Sequence, residues 1–412
     1  MSSTSSPRIL MVIRLFDPWL GGTQKQAHRL ARALLDDGVD VRLVTGWWFR
    51  GTRQRETIDG IPVFRNHTLW EGFGIRGART FGGYVYILTL LWHLWRRRRT
   101  YDVIHVHGLS YHTFAAAIAS RRLRKPMVTK LANSGAASDI LKMRGGQHLA
   151  LTRFMLPTAL GNGRFVALNR AVERELLGAG VQRERITTIP NGIGLPVAPG
   201  AFDARLHRPP RALFVGRLHQ QKGVDVLLRA ARRLRELDPE LAVAYHIVGD
   251  GPLRDELSSL TRKLGLTKEV EFWGERGDVP SFLRDTDVFV LPSRAEGISN
   301  ALLEAMSLGL PVVASAVPGN EDVVEHEREG LLFPVDDPES LATAIRRVLR
   351  DTDLRERLGR HARRAVESRY SIERVADRYR ALYRELVDGP TPEHEPDPML
   401  MAPTTPEVPK PR

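Results

Sequence analysis

Residues 291–315, LPSRAEGISNALLEAMSLGLPVVAS, constrain the fold more than any other stretch of this chain. An apolar run over 288–291 stops at Pro292 and Ser293, which reads as a buried strand entering a loop. A helix is predicted over 298–308, Gly309 caps it, and a second apolar run follows at 312–314. The loop carries Glu296 and Gly297, and Glu304 lies eight residues beyond Glu296. At about 3.6 residues per turn, that spacing puts both carboxylates on one flank of the same helix end. The backbone N–H groups of Gly297, Ile298 and Ser299 at the helix start attract phosphate or hydroxyl oxygens. Carboxylates accept hydrogen bonds from sugar hydroxyls, so acids beside an anion-attracting helix end suit a ligand both polyhydroxylated and phosphorylated. A lone Glu more often ends in a surface ion pair. The Pro-Ser, Gly and Gly-Leu-Pro punctuation around these two favours the ligand site.

The stretch resembles the E-x(7)-E signature of retaining glycosyltransferases of the GT-B fold, of the large family-4 type. Both acids, the preceding PS, EGISNALLEAM and GLPVVAS all correspond. The resemblance implies that Glu304 holds the donor ribose and Glu296 contacts the donor sugar.

Composition sets outer limits. The 412 residues predict two or three domains, and 42% hydrophobic residues suffice for real cores. The sequence contains no cysteine, which removes disulfides and thiolate chemistry. No signal peptide is visible, and no apolar run reaches the roughly 20 residues of a membrane span. A cytoplasmic location is the expectation. The net charge of +13 suits anionic partners such as nucleotide phosphates or anionic lipid. No nucleic-acid-binding signature accompanies it, and Arg-rich solvated helix faces would give the same total.

In the first half, residues 8–15 read as a buried strand, 16–22 as a loop with paired glycines, and 23–35 as a helix ended by Gly38. Strand, glycine loop and helix bring backbone amides close to a phosphate, although Gly21-Gly22-Thr23 is no complete nucleotide fingerprint. It resembles the Gly-Gly loop of GT-B enzymes that faces donor phosphates and acceptor. Strands are expected at 39–45 and 61–64, and a Gly-rich mobile loop at 70–79. Residues 81–95 are apolar and aromatic and run into Arg96–Arg99. They read either as a core helix with a basic end or as a segment dipping into a membrane interface. The lipid-linked acceptors common in the family favour the membrane surface. The strand at 103–106 ends in His105-Val106-His107-Gly108, and alternation sends both imidazoles the same way. The resemblance to an H-x-H-G strand end places His107 in the cleft among the catalytic residues and leaves His105 structural. After the strand at 126–131, the sequence departs from the family pattern. Ala132 stands where many members carry a His, with Lys130, Asn133 and Ser134 as nearby polar candidates for sugar or acceptor contacts. A strand over 164–168, a helix capped by Asn169 and a strand over 186–189 lead to Pro190-Asn191-Gly192, which resembles the family's exit from its first domain.

The alternation restarts after a Pro- and Gly-rich linker at 194–210. A strand at 212–215 precedes Gly216-Arg217-Leu218 and Lys222-Gly223. One Arg and one Lys at a helix entrance can clamp a diphosphate, the first by fork geometry and the second as a point charge. This matches the family's donor-phosphate signature, which assigns Arg217 and Lys222 to the diphosphate. The resemblance also places Gly249 beside the nucleotide and Gly274 at the base edge, with Trp273 expected in the core. A final helix at 372–386 is expected to cross back to the first half. The tail from 388 is rich in Pro and acids, which predicts disorder.

Two successions of strands and helices imply an α/β chain with two doubly wound parallel sheets facing a cleft. The expected domains are 8–193 with the crossover helix 372–387, and 211–371. Every motif falls at a strand's C-terminal end, where such sheets bind ligands. The expected reaction is retaining transfer of a hexose-type residue from a nucleoside diphosphate sugar to a hydroxyl on a glycan or lipid-linked acceptor, without a metal ion or other cofactor. A nucleotide-sugar epimerase, or a non-catalytic glycan- or lipid-binding protein on the same frame, is the alternative.

Overall fold

The computed structural model describes residues 6–18, 21–68, 78–131, 133, 138–145, 152–196 and 206–389. Ala132, Ser134, residues 70–77 of the Gly-rich loop, 197–205 of the linker and the tail from 390 lie outside the described residues.

The first half runs β1 (Ile9–Ile13), α1 (Gly22–Asp36), β2 (Val41–Trp47), β3 (Arg55–Ile58), β4 (Ile61–His67), α2 (Ala78–Arg96), β5 (Val103–His107), α3 (Tyr111–Leu123), β6 (Met127–Leu131), α4 (Asp139–Arg144), α5 (Thr152–Leu160), β7 (Arg164–Ala167), α6 (Arg170–Gly178) and β8 (Ile186–Thr188). Its strands order as β3-β4-β2-β1-β5-β6-β7-β8. All neighbours are parallel except β3 on β4, an antiparallel edge that apolar periodicity does not announce because RETI is polar and half-exposed. Strands buried on both faces read as unbroken apolar runs. In β1, Ile9, Met11 and Ile13 face one helical layer while Leu10 and Val12 face the other.

The second half runs β9 (Arg211–Val215), α7 (Val224–Leu237), β10 (Ala244–Val248), α8 (Arg254–Lys263), β11 (Val270–Gly274), α9 (Val279–Arg284), β12 (Val288–Leu291), α10 (Asn300–Ser307), β13 (Val312–Ser315), α11 (Pro318–Glu321), β14 (Leu331–Phe333), α12 (Pro338–Arg350) and α13 (Thr352–Ala365). The strand order is β11-β10-β9-β12-β13-β14, parallel throughout. A π-helical turn at Val366–Tyr370 then leads into α14 (Ile372–Asp388). This helix lays Val375, Ala376, Tyr379 and Tyr383 against the first sheet beside α1. The outgoing and returning chains are stapled together, Ile193 N–H donating to the Tyr370 carbonyl (2.8 Å) and Ile372 N–H to that of Ile193 (2.9 Å).

Each sheet reverses its order beside its first strand, at β1/β5 and β9/β12. Open α/β sheets bind ligands at such points, beyond the strand C-termini. The loops after β1, β5, β9 and β12 therefore define one candidate cleft.

Helix α2 packs one face into the core and leaves an apolar face exposed. Tyr86, Leu90 and Leu94 are fully buried, while Leu88, Trp92 and Trp95 on the opposite face are 67%, 59% and 55% exposed. It begins at Ala78, upstream of the predicted start. Among the described residues no helix is long and apolar enough to cross a membrane. Trp273 differs from its expected core placement: β11 is an edge strand, and the indole is 37% exposed against Phe282 and His246.

Candidate active site

The loop after β9 is locked in place by its neighbours. Gly216 N–H donates to the Val248 carbonyl (2.9 Å) and Leu218 N–H to that of Asp250 (2.9 Å). At Gly249, φ is +132° and a Cβ would lie 1.9 Å from the Gly216 carbonyl oxygen, so only glycine lets these loops meet. Gly249 in turn pairs with Gly274 at the end of β11, its N–H 2.7 Å from the Gly274 carbonyl. Gly223 plays the same part on the other side: φ is +62°, and a Cβ would sit 2.0 Å from the Pro292 carbonyl oxygen. That contact presses the head of α7 onto the loop after β12.

Lys222 consequently reaches Glu296. Its Nζ donates to Oε1 at 2.5 Å, and Ser293 Oγ donates to the same oxygen at 2.6 Å. Glu296 is 8% exposed, so its charge is oriented by two donors. Arg217 is exposed, and among the described residues no side chain pairs with it. An oriented carboxylate, a cation touching it and a second free cation thus surround the same strand ends. Positive groups of this kind neutralise a phosphate, and a fixed carboxylate orients hydroxyls.

The helix that follows begins two residues later than predicted. Ser299 is its cap, Oγ accepting from Leu302 N–H (3.4 Å). Glu296 therefore lies outside the helix, and helical spacing does not put it on one flank with Glu304. The two acids meet different cations: Glu304 Oε1 accepts from Arg29 Nη2 of α1 at 2.6 Å. The N–H groups of Gly297, Ile298 and Ser299 have no acceptor among the described residues, whereas two of their carbonyls are taken by the first half. Asn169 Nδ2 donates to Gly297 O (2.7 Å), and Asn191 Nδ2 to Ile298 O (3.1 Å).

Further bonds join the halves. Gln26 Nε2 donates to Asn300 Oδ1 and to the Gly192 carbonyl, both at 2.9 Å, and Asn300 Nδ2 donates to the Gly22 carbonyl at 3.3 Å. The Gly21-Gly22 loop thus abuts the head of α10, with Gly21 as the cap residue of α1 and Thr23 half-buried in its first turn. Sequence reading did not single out Gln26, Arg29 or Asn300. The signal was available: Gly22, Gln26 and Arg29 fall at i, i+4 and i+7 on α1, and Asn300 and Glu304 at i and i+4 on α10, two polar stripes with no stated partner.

His107 differs from its expected place in the cleft. The residue is 2% exposed, and its ring lies tilted by 32° with its centroid 4.2 Å from that of His105, on the face of the sheet where Tyr379 and Tyr383 of α14 pack against His105. Burial pushes its pKa well below the usual imidazole range, with His105 and Lys130 adding repulsion. His105 is held structurally, Nδ1 lying 2.7 Å from Tyr383 Oη. Lys130 is buried too; its Nζ donates to Asn191 Oδ1 (3.1 Å), and desolvation lowers its pKa to about 7. Asn133 Nδ2 donates to Asp139 Oδ1 (2.9 Å) at the start of α4.

Two facing doubly wound sheets with a charged site between them define a GT-B architecture, and solved structures agree. Anabaena HepE in complex with UDP and glucose superposes with a TM-score of 0.71 at 22% identity, over 91% of this chain and 99% of that one. Sucrose-phosphate synthase from Thermosynechococcus elongatus gives 0.75 at 22% identity, over 93% and 100%. Residues 21–192 match the glycosyl transferase 4-like domain, and 209–351 the glycosyl transferases group 1 model. An Escherichia coli UDP-Gal:alpha-D-GlcNAc-diphosphoundecaprenol alpha-1,3-galactosyltransferase is 30% identical over 94% of this chain and 99% of its own length. An uncharacterized glycosyltransferase of Methanocaldococcus jannaschii is 27% identical over 90% and 96%. The chain belongs to the group 1 glycosyltransferases.

Proposed function

We propose that this glycosyltransferase moves a hexose-type residue from a nucleoside diphosphate sugar to a hydroxyl of a glycan or lipid-linked acceptor, with retention of configuration. The observation that carries the reading is the cluster of Arg217, Lys222 and Glu296 at the mouth of β9 and β12, beside the free N–H groups that precede α10. Cleavage of the donor leaves negative charge on the departing diphosphate. Arg217, Lys222 and those N–H groups stabilise it electrostatically, in the role a metal ion would otherwise fill. Glu296 orients the sugar, and Glu304 takes the ribose hydroxyls. Retention then proceeds by attack of the acceptor on the face the diphosphate leaves, through an oxocarbenium-like centre. The UDP and glucose named in the HepE structure support a nucleotide-sugar donor. The diphosphoundecaprenol acceptor in the E. coli enzyme's name supports a lipid-linked one and a role in cell-surface polysaccharide or glycolipid synthesis. The exposed Leu88, Trp92 and Trp95 favour work at the cytoplasmic membrane surface.

The test is a thermal-shift screen of the purified protein against UDP- and GDP-sugars, followed by transfer assays containing chelator. The anomeric configuration of the product is read by NMR. A stabilising donor that gives an axial-to-axial or equatorial-to-equatorial product supports the reading; an inverted product, or turnover abolished by chelator, refutes it. Donor isomerisation without an acceptor would mark the epimerase instead.

A further inference from the structure

A second charged cavity opens at the far end of the first sheet, where β6 and β7 begin. It has a volume of about 510 Å³. The cleft lies at the other end of these strands, about 15 Å away at roughly 3.3 Å per residue. Four cations, Arg121, Arg124, Lys125 and Arg164, line the cavity together with Asn162, and no carboxylate does.

Two of the cations are anchored. Lys125 Nζ donates to the Tyr101 carbonyl (2.9 Å) and lies 3.8 Å from Asp102 Oδ1, and Arg164 Nη1 donates to the Glu184 carbonyl (2.8 Å) while pairing with Glu385. Arg121 and Arg124 are exposed, and among the described residues no acid pairs with either. A fifth cation stands behind the wall: Arg185 is tied to the Leu160 and Gly163 carbonyls, near enough to Arg121 for the two to repel.

Arg124 is the most telling. It closes α3 in the left-handed conformation, φ 53° and ψ 42°, where glycine is the unstrained choice. The fold does not ask for arginine there. Lys125 and Arg164 are partly neutralised by Asp102 and Glu385, but Arg121 and Arg124 add two uncompensated like charges at the rim, one of them at the cost of backbone strain, and an entering anion relieves their repulsion.

We propose that this cavity binds a phosphate- or diphosphate-bearing group. Its volume falls in the range of small-ligand sites, and forked guanidiniums recognise phosphate oxygens in pairs. The group belongs either to a soluble anion or to a lipid headgroup. The same end of the helical layer carries Arg96–Arg99 at the close of α2, which runs beside α3.

The experiment uses the full chain and two probes: inorganic pyrophosphate by calorimetry, and co-sedimentation with phosphatidylglycerol-containing vesicles, both at low salt. Arg217→Ala serves as background, so that binding in the cleft is not mistaken for binding here. Arg121→Ser/Arg124→Gly is expected to weaken binding at least tenfold. Arg124→Gly alone should weaken it measurably while leaving Tm unchanged or raised, because glycine relaxes the left-handed turn. A loss seen only with pyrophosphate assigns a soluble anion, and one seen only with vesicles assigns a headgroup. Affinities for both probes that do not change between parent and double variant, or no binding of either probe in the Arg217→Ala background, would overturn the proposal.

Discussion

Arg29 and Glu304 bridge the two halves of the enzyme: Nη2 on α1 donates to Oε1 on α10 at 2.6 Å, with both side chains about a quarter exposed. A pair this accessible contributes about 1 kcal/mol or less, so it latches the cleft only weakly. If Glu304 holds the donor ribose, the hydroxyls must share its carboxylate with Arg29 or displace the guanidinium. Glu304→Gln is expected to lower turnover by about 10²-fold, as loss of a charged hydrogen-bond acceptor does. Arg29→Ala is expected to leave kcat within about threefold and to leave the donor KM equal or lower, since it frees the carboxylate. Steady-state kinetics decide. A collapse of kcat in Arg29→Ala to the Glu304→Gln level would make Arg29 part of the donor site and not a competitor for it.

Lys222 and Arg217 separate stability from chemistry. Removing Lys222 leaves the 8% exposed Glu296 with Ser293 as its one remaining donor among the described residues. Lys222 itself is half-buried, and leaving the carboxylate short of one charged donor costs about 1–3 kcal/mol. Lys222→Ala should therefore lower Tm by several degrees and also lose activity, and Lys222→Ala/Glu296→Gln should recover much of the Tm but none of the turnover. Arg217 is exposed and has no side-chain partner among the described residues, so Arg217→Ala should keep the parent Tm while kcat/KM falls by about 10²-fold. Melting curves beside kinetics test this, and full activity in Arg217→Ala sinks the diphosphate assignment.

These residues also mark how far the sequence could be read. Parallel strands buried on both faces are continuous apolar runs, which made β1, β5, β9 and β12 and the motifs at their ends visible. A strand such as β3, polar and at an edge, leaves no periodic mark. The partners of the motifs left a fainter mark: Gln26, Arg29 and Asn300 show as polar stripes on α1 and α10, but which stripe meets which is decided only when the two helices are brought side by side from distant parts of the chain. His107 shows the same gap from the other side. Alternation correctly paired it with His105, but which face α14 would cover is a property of the returning chain.

Acid should loosen the first half in particular. Burial lowers the pKa of His105 to about 3 and of His112 to about 4, and takes His107 well below the usual range. In the unfolded chain these groups titrate near 6.5. Between the two values the unfolded chain binds more protons, so stability rises with pH across this window and is lost as pH falls from about 6.5 towards 4. For His112 alone the difference amounts to about 3 kcal/mol. His112→Gln keeps a donor for the His107 carbonyl and should flatten the dependence of Tm on pH between 4 and 6.5. Lys130 acts in the same direction at higher pH, its pKa lowered to about 7 from 10.5. Lys130→Met should accordingly flatten the rise in Tm between pH 7 and 10. Unchanged slopes in both variants would mean that these groups are solvated in solution.

The exposed face of α2 gives the membrane reading its sharpest test. Leu88, Trp92 and Trp95 follow one another at i, i+4 and i+7, all more than half exposed, while the opposite face is sealed in the core. Arg96 lies over the Trp92 ring (5.3 Å) and Arg98 over Trp95 (5.0 Å), so cation and indole are presented together. Indoles favour the headgroup region, and each basic residue near an anionic surface adds about 1 kcal/mol, screened by salt. Trp92→Ser/Trp95→Ser should preserve the fold, because neither indole is part of the core, and should weaken binding to phosphatidylglycerol vesicles at least tenfold. Raising salt to about 0.5 M should weaken the parent protein as well, since the Debye length then shrinks to a few ångströms. Transfer to a short water-soluble acceptor should stay at the parent rate in the double variant, while transfer to an acceptor embedded in vesicles falls. Equal loss on both acceptors would place the tryptophans in catalysis or folding, and equal vesicle binding by parent and variant would remove α2 from the membrane altogether.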